Sequence, residues 1–275
     1  MRTSLNPMLL ALLISLLAGL ATSVGGLIAV REAIPRRSSL AVALAFAAGA
    51  MVLISLIQIV PLGIEYLQAS GADGRSAQTV VWVSFFAGIG VVLAIDRVLP
   101  SSLNPNEMEG AEDDITEYNT AVTRRIMRSG LLTALVLALH NLPEGMATFL
   151  TTYQDPRVGL TLAVAITIHN VPEGIAVAAP VYAATGSKRR ALWWATASGM
   201  AEPFGGLLAA ALVRWVLPDQ FFGVFYGVVA GMMIFLALDE LLPGSWRYQT
   251  DKHQTVYGIL IGMAVMALSF VLFAI

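Results

Sequence analysis

Cysteine is missing from this chain, and charge is scarce: Asp, Glu, Lys and Arg make up only 12% of 275 residues. Without cysteine there is no disulfide framework and no thiolate ligand, which argues against Cu(I) and leaves the redox compartment undetermined. A soluble domain carries about 25% charged residues. Half that share, with 57% hydrophobic residues and a mean hydropathy of +0.75, excludes an ordinary soluble globule. The formal net charge is −2, so no basic excess points to nucleic acid. Histidine occurs three times, and two of the three fall in the motifs considered below.

What the chain does have is apolar length. Spanning ~30 Å of hydrocarbon takes roughly 20 residues of helix. Runs of that kind fall at about 8–30, 38–63, 79–99, 128–153, 158–183, 190–215, 219–243 and 255–275. The expected fold is therefore all-α, a polytopic membrane protein with eight transmembrane helices. Arg2 ahead of the first run resembles a signal peptide, but the run is long, lacks a small-residue cleavage site and takes part in an internal repeat. Twelve of the 16 Lys and Arg residues fall after the first, third, fifth and seventh runs, and only Arg2, Arg75, Arg157 and Arg214 fall on the other side. Basic residues favour the cytoplasm. Both termini are thus expected outside it, in a multi-pass protein of the cell (inner) membrane.

GLATSVGGLIA (19–29) aligns with GMAEPFGGLLA (199–209) at offset 180, so the first span matches the sixth. AGAMVLISLIQIVP (48–61) aligns with AGMMIFLALDELLP (230–243) at offset 182, so the second matches the seventh. The fourth and fifth share HNLPEG (140–145) and HNVPEG (169–174), while the third and eighth show no convincing match. Members of each pair lie an odd number of spans apart and must cross in opposite senses. That is the pattern of an inverted-topology repeat, whose substrate site sits near the midplane.

The hexapeptides carry the chemistry. His140 and Glu144 are four residues apart and share a helix face, as do His169 and Glu173. Asn141 and Asn170 point about 100° from their histidines, towards an adjacent face. Pro143 and Pro172 remove the amides that would bond Leu139 and Ile168. Such irregularity survives in a membrane only when buried in protein or lining a cavity. Counted from the turn near Asp155–Arg157, both histidines lie roughly 20 Å deep, and Glu202 in the sixth span reaches a similar level.

An unpaired charge at that depth costs at least ~2.5–3.5 kcal/mol, and no basic residue is near. Either protons or metal cations must neutralise these acids. Imidazole with carboxylate suits Zn²⁺, Fe²⁺, Mn²⁺ or Co²⁺, and neutral amides ligate metals better than they carry protons. Two overlapping sets emerge. His140, Glu144, His169 and Glu173 form a mixed nitrogen–oxygen group; Asn141, Asn170, Glu173 and Glu202 form an oxygen-rich one.

Other polar residues carry weaker signals. His253 lies in a cytoplasmic loop and reads as solvated. Asp239 and Glu240 are either interfacial charges or the lining of an exit path, and Asp96 is a fainter case of the same. Gln58 occupies the repeat position of Glu240 and could mark an entrance. The loop 101–123 holds Glu107, Glu109, Glu112, Asp113, Asp114 and Glu117 with no Lys or Arg, and is either a solvated linker or a cation-collecting tether.

HNLPEG, HNVPEG, APVYAATGSKRRALWWA (179–195), SGMAEPFGG (198–206) and ALDELLP (237–243) together resemble the ZIP (Zrt- and Irt-like) family of divalent metal transporters, in its bacterial ZupT-like branch. The resemblance spans almost the whole chain. It implies one transmembrane domain over 1–275 in a 3+2+3 arrangement: helices at 8–99, a cytoplasmic loop at 100–127, helices at 128–183 and helices at 190–275. It implies import of divalent metal into the cytoplasm, zinc foremost, with iron, manganese, cobalt and cadmium as further cargo. It also implies a paired metal site of His140, Asn141, Glu144, His169, Asn170, Glu173 and Glu202, with both glutamates of the hexapeptides serving both positions. A homodimer, and elevator-like movement of the metal-carrying helices, belong to the same expectation. Many relatives carry histidines in the loop between the third and fourth spans; this loop is acidic and has none. The alternative reading is a membrane-embedded zinc hydrolase, against which the absence of an H-E-x-x-H arrangement counts.

Overall fold

The structure is a computed structural model and describes residues 6–31, 37–98, 134, 137–138, 141–213 and 219–273. Among them the chain is helical and contains no strand. In hydrocarbon the backbone has to bond to itself, and helices do this within one segment. In chain order the helices are α1 (Pro7–Arg31), α2 (Ser38–Ala69), α3 (Gly74–Val98), α4 (141–154), α5 (Pro156–Thr185), α6 (Lys188–Gly199), α7 (Ala201–Val213), α8 (Gln220–Tyr248) and α9 (Gln254–Phe273).

Six of these, α1, α2, α3, α5, α8 and α9, are long and apolar enough to cross a membrane. The eight expected spans differ at two places. Of the run at 128–153 the structure describes 134, 137–138 and 141–153, and α4 is this later part. The run at 190–215 divides at Met200 into α6 and α7, of 12 and 13 residues. Pro203 explains the division, since it offers no amide to the carbonyl of Gly199. Each piece alone falls short of the roughly 20 residues a span needs.

Short, well-capped turns make α4, α5 and α6 antiparallel neighbours. The Asp155 carboxylate accepts from the amides of Arg157 and Val158 at 2.8 and 3.4 Å, with Pro156 in the first turn of α5. At the other end of α5, Gly186 closes the helix at φ +60°, a conformation glycine enters without a Cβ penalty. Ser187 then caps α6 by accepting from the Arg190 amide at 3.3 Å.

α2 and α8 each contain one wide π-helical turn, at Ser55–Ile59 and Ala237–Leu241. Pro61 and Pro243 lie just beyond, so the carbonyls of Ile57 and Asp239 lose their usual amides and the helix widens.

Glycines at helix crossings set how closely the backbones approach. A Cβ on Gly25 of α1 would run into the carbonyl oxygen of Val171 on α5, and one on Gly174 would run into that of Thr22. Where α7 meets α4, Gly205 stands against the Leu142 carbonyl and Gly145 against that of Glu202. Gly49 and Gly262 bring α2 against α9, and Gly88 and Gly231 bring α3 against α8, in the same manner. Among the described residues these close approaches stay within two sets. One comprises α1, α4, α5, α6 and α7; the other comprises α2, α3, α8 and α9.

Between the sets the packing is by side chains. Tyr226 of α8, fully buried, shares a hydrogen bond of 2.8 Å with the Thr151 hydroxyl of α4. Tyr66 of α2 stacks on Tyr226 and donates to Gln154. The outward faces are apolar, with Trp82, Val83 and Phe86 on α3 and Leu260, Leu268 and Val271 on α9 exposed, as lipid contact requires.

Candidate metal centre

The polar residues of the hexapeptides meet inside the first set. Asn141 and Glu144 of α4, His169, Asn170 and Glu173 of α5 and Glu202 of α7 are each at most 1% exposed. Helical spacing brings them there. His169 and Glu173 share one face of α5, Asn170 turns to the next face towards α1 and α7, and Asn141 and Glu144 meet them from α4.

Three pairings follow. Glu144 Oε1 lies 2.8 Å from His169 Nε2, a separation that needs one proton between the two atoms. The other imidazole nitrogen, Nδ1, faces the Ala165 carbonyl at 3.2 Å. A proton there fixes the ring and leaves Nε2 as the ligand-bearing atom, the usual support for a metal-binding histidine. Asn170 Nδ2 donates to the Ala18 carbonyl of α1 at 3.0 Å and to Glu202 Oε1. Asn141, in the amide orientation that satisfies both of its ends, donates to Glu173 Oε2 at 3.3 Å and to the Leu137 carbonyl at 3.0 Å. In the opposite orientation only a long 3.4 Å contact to Ser198 O remains.

The structure thus brings together six of the seven residues the sequence nominates; His140 lies outside the described residues. Glu144 with His169 belongs to the mixed set, while Asn141–Glu173 and Asn170–Glu202 belong to the oxygen-rich set. Among the described residues these pairs do not close into a group of three or more histidines and acids able to hold an ion.

Gly145 and Gly174, which end the hexapeptides, are the residues that press against Glu202 and Thr22. The glycine at this place is therefore what lets α4 reach α7 and α5 reach α1, and so lets the acids approach one another.

No Lys or Arg appears among the buried described residues. Glu173 Oε1, Glu202 Oε2 and Asn170 Oδ1 have no hydrogen-bond partner among the described residues. Buried acids without counter-charge are costly unless a cation completes them. Three buried hydroxyls that the sequence reading passed over, those of Thr22, Thr148 and Ser198, also lack a partner among the described residues. The signal was available for two of them. Thr22 occupies the repeat position of Glu202 at offset 180, and Thr148 is one helical turn after Glu144.

The remaining nominees sit elsewhere. His253 is exposed, 3.9 Å from Asp251. Asp239 and Glu240 are half-buried in the π-turn of α8. Gln58 lies in the matching turn of α2, its Oε1 buried without a partner among the described residues. The Asp96 side chain and the acidic loop 101–123 lie outside the described residues.

The profile of the ZIP zinc transporter family matches residues 101–269. The zinc transporter ZupT of Corynebacterium glutamicum is 45% identical over 271 residues, covering 97% of this chain and 100% of its own. That of Oceanobacillus iheyensis is 44% identical over 270 residues, covering 98% and 100%. That of Corynebacterium aurimucosum is 43% identical over 258 residues, covering 94% and 95%.

Proposed function

The chain belongs to the ZIP family of zinc transporters, and from that premise we propose that it carries zinc into the cytoplasm through the buried acids of α4, α5 and α7. It is a multi-pass membrane transporter rather than an enzyme, so the hydrolase alternative falls. The observation that carries the site is the burial of Glu144, Glu173 and Glu202 beside His169 with no Lys or Arg among the buried described residues. A dication is the charge that such a place accepts. His169 and Glu144, with His140, suit zinc. Asn141, Asn170, Glu173 and Glu202 offer hard oxygen atoms on which iron, manganese, cobalt or cadmium could also travel.

The 3+2+3 inverted repeat is part of this reading. Its support is that equivalent residues make equivalent contacts. Gly25 against Val171 corresponds to Gly205 against Leu142, and Gly174 against Thr22 to Gly145 against Glu202. The π-turns of α2 and α8 coincide at offset 182. Gly49 of α2 packs on α9 as Gly231 of α8 packs on α3, which relates the third and eighth spans despite their lack of sequence likeness. The two glycine-locked sets also suit alternating access. The set that holds the acids can shift as one body against α2, α3, α8 and α9, across an interface that no described glycine locks. Both termini outside the cytoplasm, the single domain over 1–275 and a homodimer complete the proposal.

Reconstituted in proteoliposomes, the protein should accumulate radioactive zinc well above protein-free vesicles, and other divalent cations should compete. Carboxylate and imidazole ligands bind metal only when deprotonated, so lowering the pH on both sides from about 7.5 to about 5.5 should slow uptake. No uptake at either pH would overturn the assignment, and faster uptake in acid would overturn the ligand chemistry.

A further inference from the structure

A hydroxyl inside a helix usually satisfies itself by bonding the carbonyl four residues back. This chain does so repeatedly. Ser55 bonds Met51 O at 2.7 Å, Ser84 bonds Val80 O at 2.8 Å, and Thr152, Thr167 and Thr185 bond Thr148 O, Ala163 O and Val181 O at 2.7 Å each. Thr22, Thr148 and Ser198 depart from the pattern. They are 0%, 0% and 2% exposed, and their hydroxyls have no partner among the described residues. Ser23 also lacks one but is only half-buried.

All three border the acids. Thr148 follows Glu144 by one turn on the same face of α4. Ser198 precedes Glu202 by four residues, and Gly199 beside it lies against Thr22: a Cβ there would sit 2.7 Å from Thr22 Cβ and 3.0 Å from its Oγ1. Thr22 is also the residue whose carbonyl Gly174 faces, next to Glu173. The same stretch of α1 receives Asn170 through Ala18 O.

Since two tight turns join α4, α5 and α6, α4 and α6 run in the same direction. Thr148 therefore stands about 6 Å from Glu144 towards one face of the membrane and Ser198 about 6 Å from Glu202 towards the other, with Thr22 beside Gly199 and level with Gly174, the neighbour of Glu173.

Resting on the proposed transport function, we infer that Thr148 on one side, and Thr22 with Ser198 on the other, are neutral oxygen stations that hold the partly hydrated cation as it reaches and leaves the carboxylates. Neutral oxygens fit that duty. A pathway has to bind an ion well enough to admit it and weakly enough to release it. Acids alone would hold it too tightly to release it. A hydroxyl left unbonded in a helix is available to a metal ion or to its water.

The test uses the full-length protein in proteoliposomes, with zinc as the probe. Thr148→Val, Thr22→Val and Ser198→Ala each remove the hydroxyl at nearly constant shape. If the hydroxyls serve the ion, maximal uptake falls about 10-fold, as for other outer partners of metal sites. Equilibrium zinc binding changes much less, and thermal stability is unchanged or raised, since an unbonded buried hydroxyl contributes nothing to the fold. Thr148→Ser should recover most of the rate. Wild-type uptake in the Val and Ala variants overturns the inference. So does a loss of stability that parallels the loss of rate, or a Thr148→Ser variant as slow as Thr148→Val. Failure of the wild-type protein to take up zinc would instead refute the transport function itself.

Discussion

Glu173→Ala should reduce zinc uptake by about 100-fold or more, beyond the 10–100-fold range that supporting residues of a metal site reach. Glu173 is fully buried, takes a hydrogen bond from Asn141 and lies on α5 one turn after His169, which meets Glu144. Its removal deletes an anionic ligand from the centre of both groups. The fold should not suffer in proportion. In the absence of zinc, an acid without a counter-charge is a burden, and deleting one relieves up to ~2.5–3.5 kcal/mol on insertion scales. Thermal unfolding in detergent should therefore show the variant at least as stable as wild type without zinc. Adding zinc separates them. A ligand at about 100 times its Kd stabilises a protein by about 2.7 kcal/mol; wild type should gain that increment and Glu173→Ala should lose nearly all of it. A variant that transports normally, or that still gains full zinc stabilisation, would remove Glu173 from the site.

The second large effect is steric. Gly25→Ala should destabilise the protein by about 3 kcal/mol, the upper end of the cost of an inserted methyl group. The new Cβ would meet the Val171 carbonyl oxygen, which is backbone and cannot rotate away. α1 would have to part from α5 at the turn that carries Asn170 and Glu173, so zinc binding should weaken with stability. Gly205→Ala, at the equivalent crossing of α7 and α4, should behave alike, and a mild phenotype for one with a severe phenotype for the other would break the equivalence. Gly90→Ala provides the contrast. It lies on the exposed side of α3 with open space around its Cβ position. Replacing a helical glycine there should stabilise by about 0.5–1 kcal/mol. Folded yield and melting temperature in detergent measure all three.

The residues legible in the sequence were those whose chemistry is costly in lipid. The hexapeptides announced themselves because a histidine, an amide, an acid and a proline in an apolar run demand a reason. The glycines at fixed offsets were legible too, and the structure gives them a shared place: Gly25, Gly49, Gly205 and Gly231 all sit where backbones touch. α3 and α9 gave no repeat signal because much of each faces outward, where any apolar residue serves. The division of the sixth span was present in Pro203 but hidden by the surrounding hydropathy, which measures polarity and not hydrogen bonding. Thr22, Thr148 and Ser198 were overlooked for a related reason. A helix normally absorbs a hydroxyl into its own backbone, and only coordinates reveal that these three are not absorbed.

The central claim is that a dication sits among acids held between α4 and α5. X-ray diffraction at the zinc absorption edge, from crystals of the protein grown with zinc, tests it directly. The account predicts anomalous density within about 2.0–2.2 Å of Glu144 and Glu173 oxygens and the His169 Nε2 nitrogen, with Glu144 and His169 drawn out of their mutual contact to admit the metal. Zinc density confined to the surface, with the Glu144–His169 pair unbroken at saturating zinc, would contradict it.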